Sequence, residues 1–174
     1  MRCAVVFIAL TIALAVLIPS AVIAGDQHVR WEDVIGIIQA GNTVGSGAGQ
    51  VTGGGQPWST TGGSASVNLG DGNLHFRVQG LVLAGGNSIG TPDAITQVKG
   101  TLVCDTNGSA GGGSSTLVDS VAVPLSAQGD ADFNGSLGPL PAACLNEPDI
   151  AFLIRIAGGA NDGRWIANEA VRRP

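Results

Sequence analysis

Leu74-His75-Phe76-Arg77-Val78-Gln79 alternates apolar and polar side chains at every step. A period of two places one set of side chains on one face of a β-strand. Ala65, Val67 and Leu69 repeat the pattern just upstream, and Gly70-Asp71-Gly72 lies between the two runs. Glycine and aspartate tolerate the positive φ of a tight turn, so the two runs should pair as an antiparallel hairpin. Working outward, residues 95–104 form the next expected strand, with Val98, Leu102 and Cys104 on one face. Strands over residues 117–125 and 128–137 follow. Ile150, Phe152, Ile154 and Ile156 alternate with Ala151, Leu153, Arg155 and Ala157. That run is apolar on nearly both faces, as a strand in the middle of a sheet would be. Asn161-Asp162-Gly163 then turns the chain into a last strand, Arg164 to Asn168, which carries Trp165.

Upstream of the hairpin the signal weakens. Val34-Ile35-Gly36-Ile37-Ile38 reads as a buried strand or one helical turn, and its β-branched content favours the strand. Residues 41–63 are dominated by Gly, Ser, Thr and Gln, which suits a long loop or a pair of weak strands. Residues 107–115, with Gly111-Gly112-Gly113, form a second permissive loop. Seven to nine short strands with frequent turns describe an all-β domain over residues 25–174, an antiparallel β-sandwich first and a small β-barrel second.

The chain has 174 residues, of which 28 are Gly and only 12% are charged, about half the share in ordinary soluble domains. Coiled coils, helical bundles and charged disordered tails are excluded by that composition. The formal net charge is −5, and loss of Arg2 with a leader makes the remainder more acidic still. Such a surface repels a phosphate backbone, so nucleic acid is not an expected partner. Arg2, the apolar run from Ala4 to Ile18 and the small residues Val22-Ile23-Ala24 have the layout of a secretory signal over residues 1–24, cleaved after Ala24. The run is shorter than a membrane span requires. No span is expected after cleavage, and the destination is secreted or periplasmic. Cys3 leaves with the leader, and Cys104 and Cys144 remain as one expected disulfide in an oxidising compartment.

The chemical motifs are sparse. Gly86-Asn87-Ser88-Ile89-Gly90 spells a nucleophile elbow, but a base must follow it, and His28 and His75 both precede Ser88. A glycine-rich turn is the expected reading. Asp130, Asp132, Asn134 and Gly135 occupy positions 1, 3, 5 and 6 of a calcium loop, while position 12 is Pro141 rather than an acid. The competing account is a strand with Ala131 and Phe133 facing inward. The runs around Gly45 and Gly53 lack the Gly-Lys-Ser/Thr of a phosphate cradle; the one lysine is Lys99. Trp31 and Trp165 sit in apolar runs as core residues. Trp58, in a polar loop after Gln56-Pro57, is the candidate platform for a sugar, or else a lid on the core.

With no triad and no free thiol, the expected function is non-enzymatic: an exported domain that binds through its loops or serves as a structural surface component. A polysaccharide or a protein is the expected partner, and no cofactor is expected unless calcium binds at Asp130–Asn134. The alternatives are a small secreted hydrolase using Asp130 and Asp132, and a calcium-dependent binding module.

Overall fold

The computed structural model describes residues 27–110, 112–146 and 149–173; the expected leader, residues 1–24, lies outside them, as do Glu147 and Pro148. Thirteen strands lie among the described residues. They are β1 (His28–Gly36), β2 (Thr43–Val44), β3 (Val51–Thr52), β4 (Trp58–Ser59), β5 (Gly62–Asn68), β6 (Asn73–Gln79) and β7 (Val82–Leu83). Then come β8 (Gln97–Cys104), β9 (Thr116–Asp119), β10 (Val123–Pro124), β11 (Ala131–Ser136), β12 (Ile150–Ile156) and β13 (Trp165–Arg173). Nine of them make one antiparallel sheet in the order β10-β8-β12-β13-β1-β5-β6-β11, with β9 also on β8. β2 pairs with β3 and β4 with β7 as two small ribbons.

The sheet curls strongly, as the aromatic core shows. Phe152 on β12 and Phe76 on β6 lie four strands apart in the sheet order, about 19 Å across a flat sheet. Their ring centroids are 5.5 Å apart. Trp31 of β1 packs on Phe152 at 5.9 Å, and Phe133 of β11 stacks on Phe76 at 5.8 Å. One sheet therefore supplies both walls of the core, a half-barrel that shares its single sheet with a barrel and its facing layers with a sandwich. The β10 and β11 edges approach each other without joining the ladder.

Curling this tightly leaves no room at Gly100 on β8. A Cβ there would stand 2.7 Å from Phe76 Cε1 and 2.8 Å from Phe152 Cε2. Gly100→Ala should therefore overpack the centre and cost about 1–3 kcal/mol. Chemical denaturation measures this, and an unchanged midpoint would mean that the two rings move aside freely.

The expected hairpin forms as β5 and β6, in register from Gly62–Gln79 to Val67–Leu74. Its turn needs glycine: Gly72 has φ +73, and a Cβ there would run into the Gly138 carbonyl oxygen. β12 is central, between β8 and β13. Its outward Leu153 is 0% exposed, because the outer face carries a second thin layer. In that layer Gly45 comes up to Val103 of β8, and Ser46 N–H donates to Ser115 Oγ at 2.9 Å. The permissive stretch 41–63 thus contains weak strands that cover the sheet. The first strand differs most from expectation: it begins at His28, and Val34–Gly36 is its end. Asp33, at φ +62, interrupts the alternation there, so Trp31 and Val34 are both buried. The expected strand over 117–125 is broken into β9 and β10 by Ser120, whose Oγ accepts from Gly100 N–H.

Cys104 and Cys144 form a disulfide, both fully buried. It ties β8 to the short helical turn Ala142–Leu145. The bond points to an oxidising compartment. No helix among the described residues is long and apolar enough to cross a membrane.

Candidate functional site

Trp58 stands at one end of the half-barrel, where the small ribbon β4–β7 caps the core. Its backbone N–H donates to Ile37 O, and it pairs with Leu83. The residue is only 6% exposed, so it is core-packed rather than a raised platform. One edge remains open. The indole N–H has no acceptor among the described residues, yet Nε1 is not sealed from solvent. Trp58 lines a cleft of about 320 Å³ whose apolar lining includes Ile95 and Ile156.

Three loops bring polar side chains to the rim. Gln56 precedes β4, Asp93 lies in the segment leading to β8, and Asn161 is in the turn between β12 and β13. None of the three side chains hydrogen-bonds to a described residue. Asp93 is held at φ +54, a left-handed conformation that is costly for a non-glycine residue. The local hydrogen bonds hold that conformation. Thr91 Oγ accepts from Asp93 N–H and donates to Ser88 O, and Ile95 N–H donates to Pro92 O. A second depression of about 380 Å³ shares Ile95, Ile156 and Asn161 with the first and continues over the turn at Gly158-Gly159. The two form one groove. No lysine, arginine or histidine lines it.

No family model matches the chain, and neither a curated protein nor a solved structure matches it. The functional reading therefore rests on the geometry of the site itself.

The other sequence candidates lie elsewhere. Ser88 sits in the turn between β7 and β8, where its carbonyl accepts from Thr91 N–H. Asp132 and Asn134 project outward from β11 in alternation with the buried Ala131 and Phe133, so the run is a strand. A strand spaces same-face residues about 7 Å apart, unlike a loop wrapped around a cation. Asp130, just before β11, accepts from Gly80 N–H at 3.0 Å, and Asp132 lies 3.6 Å from His75 Nε2. The Asp132 side chain is 62% exposed. No group of three or more His, Cys, Asp or Glu side chains suited to a metal occurs among the described residues.

Asp119 illustrates a structural charge cluster. Burial pushes its carboxyl up, but hydrogen bonds from Lys99 and Thr101, with the charges of Arg155 and Lys99, bring it below the usual range. Lys99 Nζ is at 2.8 Å and Arg155 Nη1 at 3.0 Å. With both cations committed to it, the cluster fastens β8, β9 and β12 together and leaves no charge for a ligand.

Gln56, Asp93 and Asn161 carried no signal in the sequence. They are about 37 and 68 residues apart along the chain, and only the fold gathers them.

Proposed function

We propose that this protein is an exported, non-catalytic binding domain whose ligand face is the groove beside Trp58. The observation that carries this reading is the combination in one cleft of an apolar wall with polar groups that have no partner in the fold. Binding sites have this composition: apolar lining for affinity and a few polar groups for orientation. Export is supported by the disulfide and by the leader-like layout of residues 1–24. The non-catalytic reading is supported by what lines the groove: Asp93 is its one ionisable side chain, with no histidine, cysteine or second carboxylate beside it to act as its partner.

The fluorescence of the protein supplies the test. It has three tryptophans and no tyrosine, and Trp31, Trp58 and Trp165 are all buried. Titration with soluble polysaccharides of several backbone types should give a saturable change in emission that Trp58→Phe abolishes. A response that persists in that variant would move the site away from the groove. A flat response throughout would remove the binding reading and favour a structural role.

A further inference from the structure

We propose that the groove takes an uncharged, hydroxyl-rich chain, a neutral oligosaccharide at least two units long. This rests on the groove being a binding site and adds the class of its ligand.

The argument begins with the Trp58 indole N–H, which can only donate. It belongs to a residue that is 94% removed from solvent and lines the cleft, its Nε1 is not sealed from solvent, and it has no acceptor among the described residues. The carboxylate of Asp93 can only accept, and it too is uncommitted. The amides of Asn161 and Gln56 can do both. A ligand that satisfies all four must offer donors and acceptors close together on a small scaffold. A sugar ring bearing several hydroxyls does so with one kind of group. Its C–H faces suit the apolar wall of Ile95, Ile156 and the indole edge.

Charge narrows the class. Asp93 is the one charged side chain of the first depression, and no cationic side chain lines either depression. An anion such as a uronate or a phosphate would meet repulsion without compensation. A cation would pair with Asp93 but leave the Trp58 N–H unanswered. Length follows from the second depression, which continues the first across Ile95, Ile156 and Asn161. Its lining of Thr96, Gln97 and the glycine turn also carries no charge. A single ring would occupy only one of the two.

The test uses the whole disulfide-bonded protein and a defined set of oligosaccharides: cellohexaose, mannohexaose, maltohexaose and laminarihexaose, with the matching disaccharides. Hexagalacturonate serves as the anion. A chitosan hexamer in mild acid, where its amines are charged, serves as the cation. At least one neutral hexamer should bind saturably by calorimetry, more tightly than its disaccharide, while hexagalacturonate does not bind. Trp58→Phe keeps a ring but deletes the N–H, and should weaken binding about five- to tenfold, the loss of one hydrogen bond. Asn161→Ala, at an exposed position, should weaken it by a similar factor without touching the core. Asp93→Asn keeps an acceptor oxygen but loses the charge, and should weaken neutral binding by about fivefold or less.

Binding of the chitosan hexamer alone, lost in Asp93→Asn, would overturn the neutral class and leave the binding reading intact. Binding of hexagalacturonate alone would do the same. A neutral disaccharide that binds as tightly as its hexamer would overturn the extended groove. No binding by any oligosaccharide of the set would overturn the ligand class. It would reach the binding reading only if the polysaccharide titration were flat as well.

Discussion

Replacing Cys104 and Cys144 together by alanine should lower the melting temperature by on the order of 10 °C. The two residues are 40 apart, and the closed segment contains β9, β10, β11 and the glycine-rich stretch between Asp105 and Ser115. Closing a loop of that length in the unfolded chain is worth about 4 kcal/mol in the chain-entropy model. A domain of this size shifts by a few degrees per kcal/mol. The native contacts add to the effect. Both cysteines are fully buried, and their bond holds the turn Ala142–Leu145 on β8. From that turn, Asn146 donates to the carboxylate of Asp105 at 2.8 Å. The same carboxylate accepts from Ala110 N–H, so losing the anchor should loosen the whole 105–115 loop. Thermal melts of the two forms measure the cost. Hydrogen exchange should show the loop losing protection first, and equal melts would mean that the sheet alone carries the stability.

The second large effect is a dependence on pH that runs against the usual acid sensitivity. At the end of their pairing, β12 and β13 are in register at Leu153–Asn168 and Ile154–Ala167. At the next position Phe152 N–H is bound by the side chain of Glu169, to Oε2 at 3.0 Å. Glu169 Oε1 is sealed from solvent and has no hydrogen-bond partner among the described residues, although the residue as a whole is only partly buried. Opposite it on β1 is the buried Val34, with the exposed Glu32 and Asp33 as the charged neighbours on that strand. Residues 150–153 of β12 bring no charge. Burial pushes the Glu169 carboxyl well above its ordinary 4.5, and the backbone hydrogen bonds of Phe152 and Glu169 only partly offset this.

The sign follows from proton counting. Above its ordinary value the unfolded chain has lost this proton while the folded chain keeps it, so folding binds a proton. Stability then falls as pH rises, by about 1.4 kcal/mol per pH unit, until the folded carboxyl itself ionises. Asp119 acts in the opposite sense. Its lowered pKa contributes stability above its ordinary 3.8 that is lost as pH falls through its folded value. Stability should therefore peak in mild acid rather than at neutral pH. Glu169→Gln preserves an acceptor for Phe152 N–H but cannot ionise, and it should flatten the slope on the neutral side. Melting temperatures of both proteins across that range provide the check. A wild-type curve that rises steadily to neutral pH would show that Glu169 ionises without penalty.

Glu169 also shows where reading by alternation stops. Nothing in Asn168-Glu169-Ala170 marks the glutamate as inward-facing, and the expected last strand ended at Asn168. The strand runs on to Arg173 because β1 continues alongside it, in register from Val34–Glu169 to Arg30–Arg173, after pairing with β12 has ended at Asn168. The lone glutamate is carried inside by the register of its neighbours. Trp58 was legible as a residue apart from the core pattern, but its orientation was not. It is buried against β7 and presents no exposed face.

The sequence by itself determined the strands with clean alternation, the hairpin at Gly70-Asp71-Gly72, the disulfide partners and the all-β class. Each of these depends on neighbouring residues or on a simple count of cysteines. Periodicity states which side chains share a face but not which strand lies alongside. Only the tertiary structure placed β1 between β13 and β5, bent one sheet until Phe76 met Phe152, and assembled a groove from residues 56, 58, 93 and 161. Those outcomes depend on contacts between distant parts of the chain. They are settled by which apolar faces can be buried together once the sheet curls.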